Sequence, residues 1–260
     1  MSILDEIVEH KRAEVVASKH ATPRSALVAR AATLAPPRDF ERALAPRPGR
    51  ARLIAEVKRA SPSRGVLKDD LDPVALASTY ARHGADAISV LTDARYFRGS
   101  LDDLAAVRAA VDVPLLRKDF VLDDYQLWEA RAAGADAVLL IVAILEPSQL
   151  SELAAAAKGL GLAALVECHT AAELDVALTM GARLLGINNR NLATFETRVE
   201  TTLSLLPQIP PGPLVVSESG FFTGEQVRRV AQAGAGAVLV GEALVRSEQR
   251  AAKIRELKLR

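Results

Sequence analysis

Six short apolar runs in this chain end in charged or amide side chains. Three of them finish as Glu56-Val57-Lys58, Leu116-Arg117-Lys118-Asp119-Phe120 and Leu165-Val166-Glu167. The others run out through Asn188-Asn189-Arg190-Asn191, Ser217-Glu218-Ser219-Gly220 and Val240-Gly241-Glu242. Successive side chains of a strand point to opposite faces. Glu56 therefore shares a face with Lys58, Lys118 with Leu116 and Phe120, and Asn188 with Arg190. If those faces point one way, three cations and three carboxylates meet in one small cup. Such a cup can hold an anionic ligand and exchange protons with it. One charge at a strand end is an ordinary solvated group worth little. Six strands that end this way, with apolar bodies, point to a site.

A cup needs elements that bring these ends together. From Leu53 onward a unit repeats: a short apolar run, a polar loop, then an alanine-rich helix. The expected strands are Leu53–Val57, Asp86–Leu91, Pro114–Lys118, Asp136–Val142, Ala163–Glu167, Leu184–Asn188, Leu214–Glu218 and Ala237–Val240. Their starts lie 21 to 33 residues apart, enough for a helix and two loops. A phrase recurs where helix gives way to strand: His83-Gly-Ala-Asp-Ala, Ala133-Gly-Ala-Asp-Ala, Met180-Gly-Ala-Arg and Ala233-Gly-Ala-Gly-Ala. Glycine at that point can take the left-handed conformation that ends a helix. Eight such units match a parallel (β/α)8 barrel, a TIM barrel of the α/β class, whose sites lie at the C-terminal ends of the strands. A doubly wound open sheet is the structural alternative. It needs fewer strands and usually an early Gly-x-Gly-x-x-Gly, which the first strand lacks.

Residues 1–50 differ from the rest and read as a helical extension packed on the barrel of residues 51–260, one domain overall. Leu4, Ile7, Val8, Lys11 and Val15 fall on one side of a helix. A second short helix is expected around Arg38 to Leu44. Pro46, Pro48 and Gly49 supply turn signals.

On the barrel reading, Ser219-Gly220 and Gly241-Glu242 follow the seventh and eighth strands, where this fold commonly holds a phosphate. Glycines there let backbone N–H groups approach phosphate oxygens. Ser61-Pro-Ser-Arg-Gly lies in the loop after the first strand. It reads as a flap in which Ser61 touches ligand, with Arg64 part of an ordinary turn.

Composition excludes other classes. The chain has 260 residues, 50% apolar, 25% charged and 4% aromatic, with a net charge of +1. Half the residues being apolar rules out intrinsic disorder. The balanced charge argues against a nucleic-acid partner. The one cysteine, Cys168, excludes an intrachain disulfide, and a reducing, cytoplasmic compartment fits. The first ten residues carry acids where a signal peptide needs a basic region. The longest apolar run, Ala137 to Leu145, is far short of the ~20 residues that span a bilayer, so no membrane partner is expected.

Other residues are set aside. Cys168 and His169 are neighbours on or just after a strand, so their side chains diverge and no nucleophilic dyad forms; Cys168 reads as packing. His10, His20, His83 and His169 show no metal-ligand spacing. Lys11-Arg12 reads as a solvated helix face, Asp102-Asp103 as first-turn acids, and Tyr125 and Trp128 as helix packing.

The motifs Glu56-Val-Lys-Arg-Ala-Ser-Pro-Ser, Leu91-Thr-Asp, Leu115-Leu-Arg-Lys-Asp-Phe-Val-Leu-Asp-Asp-Tyr-Gln, Leu165-Val-Glu, Ile187-Asn-Asn-Arg-Asn-Leu-Ala-Thr-Phe and Ser217-Glu-Ser-Gly resemble the indole-3-glycerol phosphate synthase family. The opening Ile3-Leu-Asp-Glu-Ile-Val-Glu-His-Lys-Arg resembles its N-terminal helix, so the likeness covers essentially the whole chain. It implies an enzyme that turns 1-(2-carboxyphenylamino)-1-deoxyribulose 5-phosphate into indole-3-glycerol phosphate, carbon dioxide and water, with no metal or organic cofactor. By that resemblance Lys118 is the general acid on the keto oxygen and Glu167 the general base. Lys58 is the second lysine, oriented by Glu56. Asn188 and Arg190 place hydroxyls and the carboxylate, and Glu218 meets the amine or a sugar hydroxyl. Ser219, Gly220, Gly241 and Glu242 hold the phosphate by backbone N–H groups, while Ser61 and Phe120 contact substrate, Phe120 on the anthranilate ring. Phe221-Phe222 and Glu242 depart from the family's smaller residues, and a carboxylate at 242 would repel phosphate unless it points away. The expected assembly is a monomer or weak homodimer. Three alternatives stay open: a phosphoribosylanthranilate isomerase, a Schiff-base aldolase using Lys118, and a non-catalytic ligand-binding barrel.

Overall fold

Each repeat supplies one strand too apolar to leave either face in water. The strands close on one another as a parallel barrel. A computed structural model describes residues 2–47, 50–191 and 194–259. Pro48 and Gly49, expected in a turn, and Leu192 and Ala193 of the fifth motif lie outside the described residues. The barrel strands are β1 (Arg52–Val57), β4 (Ala87–Leu91), β5 (Leu115–Lys118), β6 (Ala137–Ile141), β7 (Ala163–Cys168), β8 (Leu184–Asn188), β9 (Leu214–Glu218) and β10 (Ala237–Val240). β1 pairs with both β4 and β10, which closes the ring. β2 (Ala60–Ser61) and β3 (Gly65–Val66) form a short antiparallel hairpin in the loop after β1. The expected strands agree with these to within a residue at each end.

Alternation divides the core in two. Ile54, Leu116, Leu139, Leu165, Leu184, Val216 and Leu239 form one buried cluster inside the barrel. Their neighbours Leu53, Ile88, Leu115, Val138, Leu140 and Val166 face outward, packed with helix residues such as Leu76, Leu104, Leu127, Leu150 and Val227. Gly84 and Gly134 end their helices with φ of +92° and +84°, as the repeated phrase predicts.

The first residues form α1 (Ile3–Ala21), α2 (Arg24–Ala32) and α3 (Phe40–Ala43). The helix expected at Arg38 to Leu44 is therefore shorter; Asp39 caps it by accepting from the Arg42 N–H at 2.8 Å. Phe40 and Leu44 are fully buried against the lower barrel interior. The sequence reading missed α2, because its short inward side gives little contrast. It buries Leu27 and Ala31.

Lys11 corrects another expectation. It is 1% exposed, not solvated. Its Nζ lies 2.8 Å from Glu14 Oε1, 3.0 Å from Asp93 Oδ2 and 2.9 Å from Asp119 Oδ1. Only Arg12 of that pair is exposed. Lys11 sits one turn from both Ile7 and Val15, on the side that α1 buries, and barrel carboxylates meet its charge. Tyr125 fastens the far end of α1 by donating to the Ser18 and Thr22 carbonyls at 2.9 and 2.8 Å.

Candidate active site

Strand parity builds the floor of the site. One step above Ile54, Leu116, Leu165 and Val216, the next inward positions are Glu56, Lys118, Glu167 and Glu218. Asn188 takes the same level on β8, paired in register with Glu218. All thirteen residues expected from the sequence line one cavity at the C-terminal mouth: Glu56, Lys58, Ser61, Lys118, Phe120, Glu167, Asn188, Arg190, Glu218, Ser219, Gly220, Gly241 and Glu242.

Lys118 is the hub. Its Nζ lies 3.3 Å from Glu167 Oε2 and 3.3 Å from Glu218 Oε2. Burial works against its charge, but Glu167, Glu218 and Glu56 outweigh that and hold the ammonium above the ordinary lysine range. The two carboxyls diverge. Burial raises both, yet Lys118, His169 and the Asn188 hydrogen bond bring Glu167 below its usual value. Glu218 is pushed up to about 8 by burial and by the neighbouring Glu167, against the pull of Lys118. The two neighbouring carboxyls are thus driven in opposite directions, an arrangement that separates base from acid.

Two glycines make room for these groups. A Cβ on Gly186 would collide with Glu218 Oε1. A Cβ on Gly241 would strike the Glu56 carboxylate and lie 3.2 Å from Lys58 Nζ. Lys58 and Glu56 form an ion pair at 2.5 Å. Ser219 and Gly220 are both left-handed, with φ of +67° and +87°, and turn the chain back over the mouth.

Arg190 reaches across to the first loop, donating to Ser63 Oγ at 2.7 Å. Burial and then the like charge of Arg64 depress its affinity for a proton. Arg64 lies in a turn, as expected, but that turn is the tip of the β2–β3 hairpin and also lines the cavity. Glu242 does not point clear of the site. Its side chain is 15% exposed, 3.4 Å from Arg64 Nε and 3.3 Å from Arg246 Nε. Two guanidinium groups therefore offset its charge.

The sequence reading missed Ser63, Arg64, Gly186 and the apolar wall. Phe97 and Phe120 face each other with centroids 6.1 Å apart, and Ile3, Leu4 and Ile7 of α1 complete that side. The amphipathic stripe of α1 holds a usable signal for the latter three. Cys168 is buried, and burial pushes its thiol well up, as fits packing. Among the described residues, no group of three or more His, Cys, Asp or Glu is arranged to hold a metal ion, and no helix is long and apolar enough to cross a membrane.

Fold and mouth together define a (β/α)8-barrel enzyme with its charged site at the C-terminal rim. The chain is similar in structure to 3-hexulose-6-phosphate synthase from Salmonella typhimurium, with a TM-score of 0.65 at 15% identity over 80% of this chain and 97% of that one. It is also similar to thiamine phosphate pyrophosphorylase from Pyrococcus furiosus, with a TM-score of 0.59 at 18% identity over 80% and 94%. At such identities the likeness concerns the fold alone. The family model for indole-3-glycerol phosphate synthase matches residues 4–257, and the chain belongs to that family. Relatives of that name include the protein of Acidithiobacillus ferrooxidans, 52% identical over 95% of each chain. Another is that of Roseiflexus castenholzii, 53% identical over 98% of each. The family's enzymes are carboxy-lyases of tryptophan biosynthesis.

Proposed function

We propose that Lys118 and Glu167 are the acid and base of indole ring closure on 1-(2-carboxyphenylamino)-1-deoxyribulose 5-phosphate. The carrying observation is the Lys118 ammonium, 3.3 Å from each of two buried carboxyls on the cavity floor. As the aromatic ring carbon bonds to the keto carbon, the keto oxygen gains negative charge. Lys118 stabilises that oxygen and gives it a proton. The aromatic carboxylate then leaves as carbon dioxide. That loss restores the benzene ring; the new hydroxyl then takes a proton from a lysine ammonium of the cavity and leaves as water, while Glu167 takes the proton given up by the adjacent ring carbon, which completes the indole. Glu218, protonated, donates to the amine or a sugar hydroxyl.

Lys58, oriented by Glu56, faces the substrate's anionic end. Arg190 and Asn188 position its carboxylate and hydroxyls. Ser61 makes a polar contact, and Phe120 packs on the anthranilate ring opposite Phe97. The backbone of Ser219, Gly220, Gly241 and Glu242 cradles the phosphate. The crowding of Arg64 and Arg190 supports an anion there, because a bound phosphate relieves their mutual repulsion. The buried free thiol agrees with a reducing, cytoplasmic setting, and we expect a monomer or weak homodimer. Purified protein mixed with the ribulose phosphate should develop indole fluorescence; binding without that emission would overturn this reading.

A further inference from the structure

His169 follows β7 immediately and is not among the residues lining the substrate cavity. It lies behind Glu167, with Nε2 3.5 Å from Glu167 Oε1. Its Nδ1 faces Glu173 Oε2 on the helix Ala171–Thr179 at 3.1 Å. The same Glu173 oxygen accepts the His169 backbone N–H at 2.8 Å, and its other oxygen accepts from Thr170 Oγ1 at 3.2 Å. Glu173 is therefore fixed, and a fixed carboxylate on Nδ1 places a proton there. That leaves Nε2, buried and without a hydrogen-bond partner, turned toward a carboxylate oxygen. Two bare lone pairs facing each other in a buried site are unfavourable. A proton between them removes the conflict.

We propose that His169 is a positioning residue for the reaction: braced by Glu173, its imidazolium holds Glu167 by Oε1, so that Oε2 stays turned to Lys118 and the substrate. This rests on Glu167 as the base. The other groups facing the pair are Lys118 from β5, Asn188 from β8 and Glu218 from β9. Lys118 opposes a charge on His169, as does burial. Glu173 and Glu167 favour that charge and prevail, lifting His169 above its ordinary value. Without the imidazolium, Glu167 loses one of the cations that keep it ionised inside the barrel.

The test is the pH dependence of kcat in His169→Gln, with Glu173→Gln beside it and Glu167→Gln as the reference. Removing His169 makes Glu167 harder to ionise, so the acid limb should move to higher pH by about one unit. Turnover near that limb should fall about tenfold, with KM within about twofold. Glu173→Gln should move the limb the same way by less. A merely structural histidine would alter KM or thermal stability and leave the limb in place; that result overturns the proposal. If His169→Gln does not fold, the Glu173→Gln profile decides, and an unmoved limb there has the same meaning. Full turnover in Glu167→Gln would instead overturn the assignment of the base.

Discussion

Glu218 occupies the space that Gly186 leaves empty: the carboxyl of β9 lies where a β8 side chain would stand. A methyl group on residue 186 must displace Glu218 or spread the two strands. Gly186 has no positive φ among the described backbone angles, so alanine there meets a packing conflict and no conformational strain. Gly186→Ala should therefore reduce kcat by about tenfold or more while the fold is kept, since small misplacements at a reacting centre are costly. Steady-state kinetics alongside a thermal melt checks this. Wild-type turnover would show that Glu218 can move without consequence.

Lys118→Ala and Glu167→Gln should each lower kcat by ~10²-fold or more, the usual scale for losing a general acid or base. Indole fluorescence measured under saturating substrate reports it directly. Turnover unchanged in either variant removes that residue's role.

The raised Glu218 carboxyl makes stability depend on pH. In the unfolded chain it would ionise near 4.5, whereas folded it keeps its proton to about 8. Stabilisation from the neutral form is complete below the lower value and is lost as pH rises through the upper one. Glu218→Gln cannot ionise. Its melting temperature should therefore gain on that of the wild type from roughly pH 5 to pH 8. A constant difference between the two proteins across that range would contradict the shift.

Lys11→Met would leave Asp93 and Asp119 buried without their shared cation. Breaking a buried pair from one side costs about 3–5 kcal/mol, measurable by urea unfolding. Burial raises the Asp119 carboxyl, but Arg117 and Lys11 hold it down at about 2. Its stabilisation is therefore present above the ordinary aspartate value of 3.8 and lost as pH falls toward 2. The variant should unfold in acid at a higher pH than the parent. An unchanged urea midpoint would show that Lys11 contributes nothing net.

If both arginines serve binding, as proposed, Arg190→Ala and Arg64→Ala should chiefly raise KM. A fall in kcat at constant KM would assign the altered residue to the chemical step.

Most of the barrel was legible because a strand buried on both faces must be apolar throughout, so β8, β9 and β10 begin and end where the sequence runs do. The floor of the site followed from alternation alone, which carries Glu56, Lys118, Glu167 and Glu218 to one level. Other features depend on partners remote in sequence. Lys11 looks like any surface lysine until Asp93 and Asp119 are placed beneath it. Arg64 lines the cavity only because the turn of the β2–β3 hairpin lies at its mouth. Gly186 shows no sign that it yields to a neighbour 32 residues on. His169 was dismissed beside Cys168, although its partners are the residues two before and four after it.

The wedge of Phe40 and Leu44 under the barrel carries a practical consequence. The proposed catalytic groups occupy the upper rim, while these two side chains cork the opposite end. A chain begun at Ala51 would be an open-bottomed tube with its leucine lining wetted from below. Trimming the leading helices for convenience of expression should thus cost the enzyme its dry interior, though no reacting group has been touched.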